Sequence, residues 1–171
     1  GGVVGRIWNT WSCVANSYHA GSITGSDGAS GIGGIVGTRQ DNAAVANCYF
    51  LQTEAVYAGM SGVGSDQTHT GAAARGAENF ASGEVAWALQ NGQADSTAQA
   101  WGQRLTGTSD AYPVPASLDP DAPRVCRVQF QSDSATVRTD YCNPGGSVTP
   151  PSGPAAPAGQ GFAGWDGSGN E

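Results

Sequence analysis

Gly33-Gly34-Ile35-Val36-Gly37, followed by Val45-Ala46-Asn47-Cys48-Tyr49, is the stretch on which the fold turns, because its pattern occurs twice. Gly1-Gly2-Val3-Val4-Gly5 leads into Val14-Ala15-Asn16-Ser17-Tyr18 in the same order. The Gly-Gly doublets lie 32 residues apart and the Val-Ala-Asn segments 31 apart, so one residue is lost between copies. A fixed period of this size marks a repeat architecture. One copy is too small to bury its own apolar face, so copies must stack.

Each part of the repeat has a physical reading. Val3-Val4 and Ile35-Val36 are β-branched and flanked by glycine, which predicts very short strands between tight bends. A second strand is expected from Val14 to Tyr18 and from Val45 to Phe50. Asn16 and Asn47 are equivalent, and stacked asparagines either hydrogen-bond one above the other or hold a bend. Ser17 and Cys48 are also equivalent, which suggests a site restricted to small side chains. Residues 1–60 are therefore expected to form stacked coils, with Val3 beside Ile35 and Tyr18 near Tyr49.

These residues resemble the GLUG repeat of bacterial surface proteins, a Gly-aliphatic-x-Gly box followed by an Asn-Cys-Tyr-like strand. Gly34-Ile35-Val36-Gly37 with Asn47-Cys48-Tyr49 fits the pattern, and Gly2-Val3-Val4-Gly5 with Asn16-Ser17-Tyr18 departs from it at Ser17. The resemblance covers residues 1 to about 50. It implies a right-handed β-solenoid and brings no catalytic residues. The family occurs in adhesins and in non-catalytic regions of secreted peptidases.

Composition narrows the function. The formal net charge is −7 with 7 basic residues, which argues against nucleic acid and against an anionic membrane surface as partners. No apolar run approaches the roughly 20 residues needed to span a bilayer, so membrane insertion of this segment is not expected. The chain starts inside a repeat with no signal peptide, and is read as a piece of a longer secreted protein. The four cysteines form no CxxC pair and have only His19 and His69 to assist them, which disfavours zinc. An extracellular module tolerates a disulfide.

Within the repeats, Trp8 and Trp11 fall where the second copy has Gln40 and Ala43. They are expected to cover the open end of the stack, with sugar binding by an exposed aromatic pair as the lesser alternative. Asp27, Asp41 and Asn42 are read as turn residues, since no EF-hand or nonapeptide spacing surrounds them. Residues 51–78 are broken into loops by Gly59, Gly62, Gly64, Gly71 and Gly76, with Val56, Tyr57, Met60 and Val63 adding one irregular last coil. A helix is predicted over 82–91, with Ser82 as N-cap, Glu84 in the first turn and Gly92 as the stop. Phe80, Val85, Ala86 and Leu89 form its apolar face, and Trp87 points elsewhere, toward the segment of Trp101.

The run from Phe80 to Asn91, then Trp101-Gly102-Gln103 and Tyr112-Pro113-Val114, looks like the segment that follows GLUG repeats. That resemblance implies a helix closing the solenoid and a Trp-Gly-Gln strand returning to it. Residues 61–118 are thus a capping segment, and Asp119-Pro120-Asp121-Ala122-Pro123 opens a linker over 119–124. From 125 to 171, Val128-Gln129-Phe130, Gly145-Gly146-Ser147-Val148, Pro151 with Pro154, and Phe162-Ala163-Gly164-Trp165 resemble the B repeat of internalin. The implied fold is a small β-grasp-like module ending in a Phe-x-Gly-Trp strand. The family continues past the tryptophan where this chain stops, so the module is expected to be truncated or completed by residues outside it. A Pro/Ala-rich linker from Ser147 onward is the alternative.

Strands 125–131 and 136–142, paired as a hairpin centred on Ser134, set Cys126 opposite Cys142. These two residues are the expected disulfide. A bulge or a one-residue slip competes with that register, and a slip separates the sulfurs. Cys13 and Cys48 are expected to be unpaired in the coil interior. No catalytic set, cofactor site or metal site is expected. Arg39 with Asp41 is the local candidate for the lyase or hydrolase chemistry that some β-helices carry. The fold expected is mainly β, a short solenoid capped by a helix and followed by the small module. The function expected is a non-catalytic, extracellular, cell-surface segment: an adhesin, stalk or ligand-binding module with a host protein or glycan as partner. The alternative is an accessory or substrate-binding region of a secreted polysaccharide- or protein-degrading enzyme.

Overall fold

The structure is a computed structural model that describes residues 1–25, 30–52, 60–66, 68–155 and 158–167. Asp27, Val56, Tyr57 and Gly59 lie outside the described residues. Strand outweighs helix, 31% against 8%, so the chain is mainly β, and its sheets are small and not closed.

The two sequence copies lie one over the other. β1 (Val4–Ile7) pairs in parallel with β3 (Val36–Arg39), Val4 opposite Val36. β2 (Cys13–His19) pairs in parallel with β4 (Ala44–Leu51), setting Ser17 against Cys48 and Tyr18 against Tyr49. The Ile35 carbonyl accepts the amides of both Val3 and Val4, each at 3.0 Å. One level down, the Gly62 carbonyl accepts the amides of Ile35 and Val36 at 3.0 and 3.1 Å. Val36 also bridges Val63 in parallel, so Val63 continues the same column.

The third level holds a strand that the sequence places in a loop. β5 (Ala72–Arg75) pairs in parallel with β4, Cys48 opposite Ala72. Ala-Ala-Ala-Arg has no β-branched residue. The ladder of β4 imposes the extended conformation, as tertiary pairing overrides weak strand propensity. Gly71 permits the approach, because a Cβ there would stand 1.9 Å from the Val45 carbonyl oxygen. The core runs through all three levels, from Ile7 and Val14 through Ile35, Val36, Cys48 and Phe50 to Val63 and Ala72, with Met60 packed against it. Cys48 is confined, at 1% exposed, whereas Ser17 opposite it in the outer copy is only part-buried.

Asn16 and Asn47 do both of the things their equivalence suggests. Each is left-handed, with φ of 49° and 48°, and so bends its strand. The Asn47 amide Nδ2 donates to Asn16 Oδ1 at 2.8 Å and to the Leu89 carbonyl at 3.4 Å, while the Tyr49 hydroxyl donates to Asn47 Oδ1 at 2.9 Å.

The expected single helix is two. α1 (Ala77–Ala81) and α2 (Glu84–Asn91) meet at Gly83, whose φ of 91° breaks the helical path. Ser82 closes α1 instead of starting α2. Gly92 ends α2 as anticipated. Glu84 is held by Arg75 Nε at 2.9 Å and Asn79 Nδ2 at 2.8 Å, which ties both helices to β5. Phe80, Val85 and Leu89 are fully buried against Tyr18, Tyr49, Leu51 and Trp101, so α2 packs on the β2–β4 ladder.

Trp87 does not face Trp101. Its ring stacks with the Arg127 guanidinium at 4.1 Å and lies 6.3 Å from Tyr141. The Trp-Gly-Gln segment does not add to the parallel ladders either. β6 (Trp101–Gly102) pairs with β7 (Val114–Pro115), and Trp101 meets Tyr18 edge-on at 5.7 Å. Buried Gln90 pins this loop: its Nε2 donates to the Ser96 and Ala98 carbonyls, and its Oε1 accepts the amides of Ala100 and Trp101. Residues 119–124 pack closely on the loop. Ala122 is 1% exposed, and Arg104 pairs with Asp119 at 2.7 Å.

β8 (Cys126–Ser132) and β9 (Ala135–Cys142) form a hairpin turned at Asp133 and Ser134, both left-handed. A bulge after Phe130 shifts the register near the turn and leaves Cys126 opposite Cys142. Asn143 fastens the hairpin to the loop by accepting the Leu105 amide at 2.9 Å and donating to the Gln103 carbonyl at 2.7 Å. Beyond Cys142 the described residues contain no strand, so Phe162-Ala163-Gly164-Trp165 is not one. Trp165 still packs, edge-on to Phe130 at 5.3 Å and donating to the Pro151 carbonyl at 2.9 Å. No helix among the described residues is long and apolar enough to cross a membrane.

Asn47→Ala should cost about 2–4 kcal/mol, combining the left-handed backbone penalty with the lost hydrogen bonds. Asn47→Gly should cost less, because glycine adopts the same bend freely. Urea midpoints of the three proteins measure both values, and an alanine variant as stable as the glycine variant would contradict this role.

Candidate functional site

Residues 8–12 turn the chain between β1 and β2, and residues 40–43 make the corresponding corner one level down. In the upper corner Asn9 is left-handed, with φ of 76°. Its Oδ1 accepts the Trp11 amide at 2.9 Å, and the Ser12 hydroxyl donates to the Trp8 carbonyl at 2.6 Å. These bonds fix the turn and leave the Trp11 side outside it.

Trp8 and Trp11 do not cover the stack. Trp8 is 58% exposed and Trp11 93%. The indole N–H of Trp8 donates to Asp41 Oδ2 at 2.5 Å, and the Arg6 guanidinium lies 4.8 Å from the ring centroid. Arg6 also donates from Nε to Gln40 Oε1 at 3.1 Å. Asp41 and Asn42 are left-handed, which makes them turn residues as expected. Sequence reasoning singled out the tryptophans but missed Arg6 and the Trp8–Asp41 bond. The signal was present: position 41 lies one repeat plus one residue beyond position 8.

Arg39 and Asp41, the candidates for lyase-like chemistry, are engaged with other groups. Arg39 pairs with Asp66 at 3.2 Å and donates to the Ala43 carbonyl at 2.6 Å, while Asp41 accepts from Trp8. The Thr68 hydroxyl donates to Asp66 at 2.9 Å and holds its carboxyl below the usual carboxylate range. Among the described residues no group of three His, Cys, Asp or Glu side chains converges as metal ligands would. A cleft of about 460 Å³ between the helices and the hairpin is lined by Glu84, Arg138, Asp140 and Tyr141. Its charges are already satisfied, Glu84 by Arg75 and Asp140 by Arg138.

No family model, curated protein or solved structure matches the chain. Among the described large apolar side chains, Trp11 is the most exposed.

All four cysteines are unbridged in this structure, Cys126 and Cys142 included, although the ladder sets those two opposite each other. Cys48 is an interior thiol, and burial pushes its pKa up. Cys13 is not interior as expected. It starts β2 opposite Ala44, on the outward side of the alternation that buries Val14. Burial, and next the neighbouring Cys126, raise the pKa of Cys142.

Thiol labelling of the folded, reduced protein at pH 7.5 should show Cys13 reacting at least tenfold faster than Cys48, because Cys13 is exposed while burial both covers the Cys48 thiol and raises its pKa. Cys13→Ser should remove the fast phase. Equal rates for the two thiols would refute the burial assigned to Cys48.

Proposed function

We propose that the chain is a non-catalytic segment of a secreted or cell-surface bacterial protein, acting as an adhesin, stalk or ligand-binding module. The observation that carries this reading is the parallel register of the two sequence copies, residue on equivalent residue at the 31–32-residue spacing. Levels stacked this way lengthen by adding further levels, and they build extended surface rather than an enclosed cleft. On this reading the ladders are coils of a short right-handed β-solenoid of the GLUG type, which α1, α2 and the 93–118 loop cap. The resemblance of the repeat box and of the 80–114 segment supports that assignment, as does the packing of Phe80, Val85 and Leu89 on the side chains of Tyr18, Tyr49 and Leu51. The hairpin with Phe162 and Trp165 belongs to a β-grasp-like surface module.

An antibody against the chain tests the location. On intact producing cells or in their medium it should detect the protein, and confinement to the cytosolic fraction would refute the reading.

An oxidising location also bears on Cys126 and Cys142. Directly paired residues of an antiparallel ladder have Cα atoms about 4.5–5.5 Å apart, within the range a disulfide spans. We propose that they join, closing a loop of about 15 residues worth on the order of 3 kcal/mol. Thiol counting on protein purified from the medium, denatured without reductant, should then find two free thiols of the four present. Four free thiols, or a peptide linking Cys13 to Cys126, would exclude the bond.

A further inference from the structure

We propose that the Trp8–Trp11 corner is a carbohydrate site that takes a neutral, β-linked polysaccharide through the apolar face of its pyranose rings. The proposal rests on the reading of the chain as a ligand-binding module and names the ligand class.

The first argument is that the fold does not need these tryptophans. The same corner one level down is made by Gln40, Asp41, Asn42 and Ala43, with no aromatic residue. Trp11 at 93% exposure contributes next to nothing to the core. Trp8 is more than half exposed, and its side-chain partners Arg6 and Asp41 are surface groups. Large aromatic area left in water is unfavourable unless something covers it.

The second argument is preorganisation. Arg6 holds the Trp8 ring at 4.8 Å, and Asp41 fixes its edge at 2.5 Å. Asn9 fixes the backbone that carries Trp11. The Trp8 ring, held in advance, loses less entropy on binding.

The third argument is the match of chemistry. A pyranose with equatorial hydroxyls and equatorial β-1,4 links presents axial C–H groups on both faces and hydroxyls around its rim, so its chain lies flat on an aromatic surface, which the axial link of an α-1,4 chain prevents. An indole supplies a flat apolar surface for the C–H face. Beside the rings, the atoms not used within the corner, Gln40 Nε2, Asn9 Nδ2, Asp41 Oδ1 and the Asn42 amide, supply donors and acceptors for the hydroxyls. Charge selects the neutral class. The net charge of −7 repels polyanions, and the nearby cation Arg6 is already shared between Trp8 and Gln40. A protein partner would call for a broader apolar surface around the two rings than this polar corner presents.

Pull-down of the full chain on cellulose, β-1,4-xylan and chitin tests the site, with amylose as the α-linked control and polygalacturonate as the anionic one. The chain should be retained on at least one of the three β-linked polymers and less on both controls. Trp11→Ala should weaken retention at least tenfold, and Trp11→Phe should stay within about threefold of the parent. Because Trp11 lies outside the core, circular dichroism of Trp11→Ala should match the parent, so lost retention reports binding and not unfolding. Soluble oligosaccharides of the retained polymer should also quench tryptophan fluorescence in the parent and not in Trp11→Ala. Absence of retention on all three polymers, equal retention of Trp11→Ala, or preference for polygalacturonate overturns the proposal. So does self-association in sedimentation that Trp11→Ala abolishes, which would assign the corner to a second copy of the chain. A protein found on the cell surface that fails these assays sinks this inference and leaves the surface reading standing.

Discussion

The side-chain amide of Asn47 sits where three parts of the molecule meet. It reaches up to Asn16 in the level above, across to the Leu89 carbonyl at the end of α2, and along its own strand to Tyr49. Each bond is worth about 1 kcal/mol. The larger effect is conformational: at φ of 48° the residue turns β4 where Asn16 turns β2, so the two bends coincide and the ladders stay in register past them. The contact also explains Gly92 in a way that capping alone does not. A Cβ on Gly92 would stand 2.3 Å from Asn47 Nδ2, so the helix ends on glycine because it presses against the asparagine.

Around that junction the structure is sealed by aromatic rings. Tyr18 is the centre of the seam, 5.7 Å from both Phe80 and Trp101 and stacked with Tyr112 at 6.4 Å. Its hydroxyl donates to the Pro113 carbonyl at 2.9 Å, which satisfies the polar end of a half-buried ring. Ladder, helices and loop therefore share one set of side chains. This is how helices of 5 and 8 residues, too short to persist alone, stay folded.

What the sequence makes legible is what repeats or alternates. The columns Val4–Val36 and Tyr18–Tyr49, the two asparagine bends and the hairpin that opposes Cys126 to Cys142 all follow from spacing. What it hides depends on partners. β5 is extended because β4 demands it, against the preference of three alanines. Gly83 reads as an ordinary first-turn residue, yet it divides the helix in two. Trp87 has two aromatic-rich neighbours at different sequence distances, and no periodicity tells which one it meets. The corner was legible as a pair of tryptophans in a turn, but its exposure and the Arg6 and Asp41 contacts belong to the stacking of one level on the next.

The hairpin has a mechanical consequence. Both of its chain ends leave from the same side, at Cys126 and Cys142, because β8 and β9 run antiparallel. Tension applied through those ends loads one pair at a time, beginning with the cysteine pair, and the ladder opens like a zipper at low force. The parallel levels have no such geometry: β1 and β3 are joined through more than twenty intervening residues, so a pull along the chain does not act across a single rung. Were Cys126 and Cys142 joined, the load would pass through the sulfurs and bypass the hairpin. A segment under tension would then yield elsewhere first, with β8 and β9 kept closed.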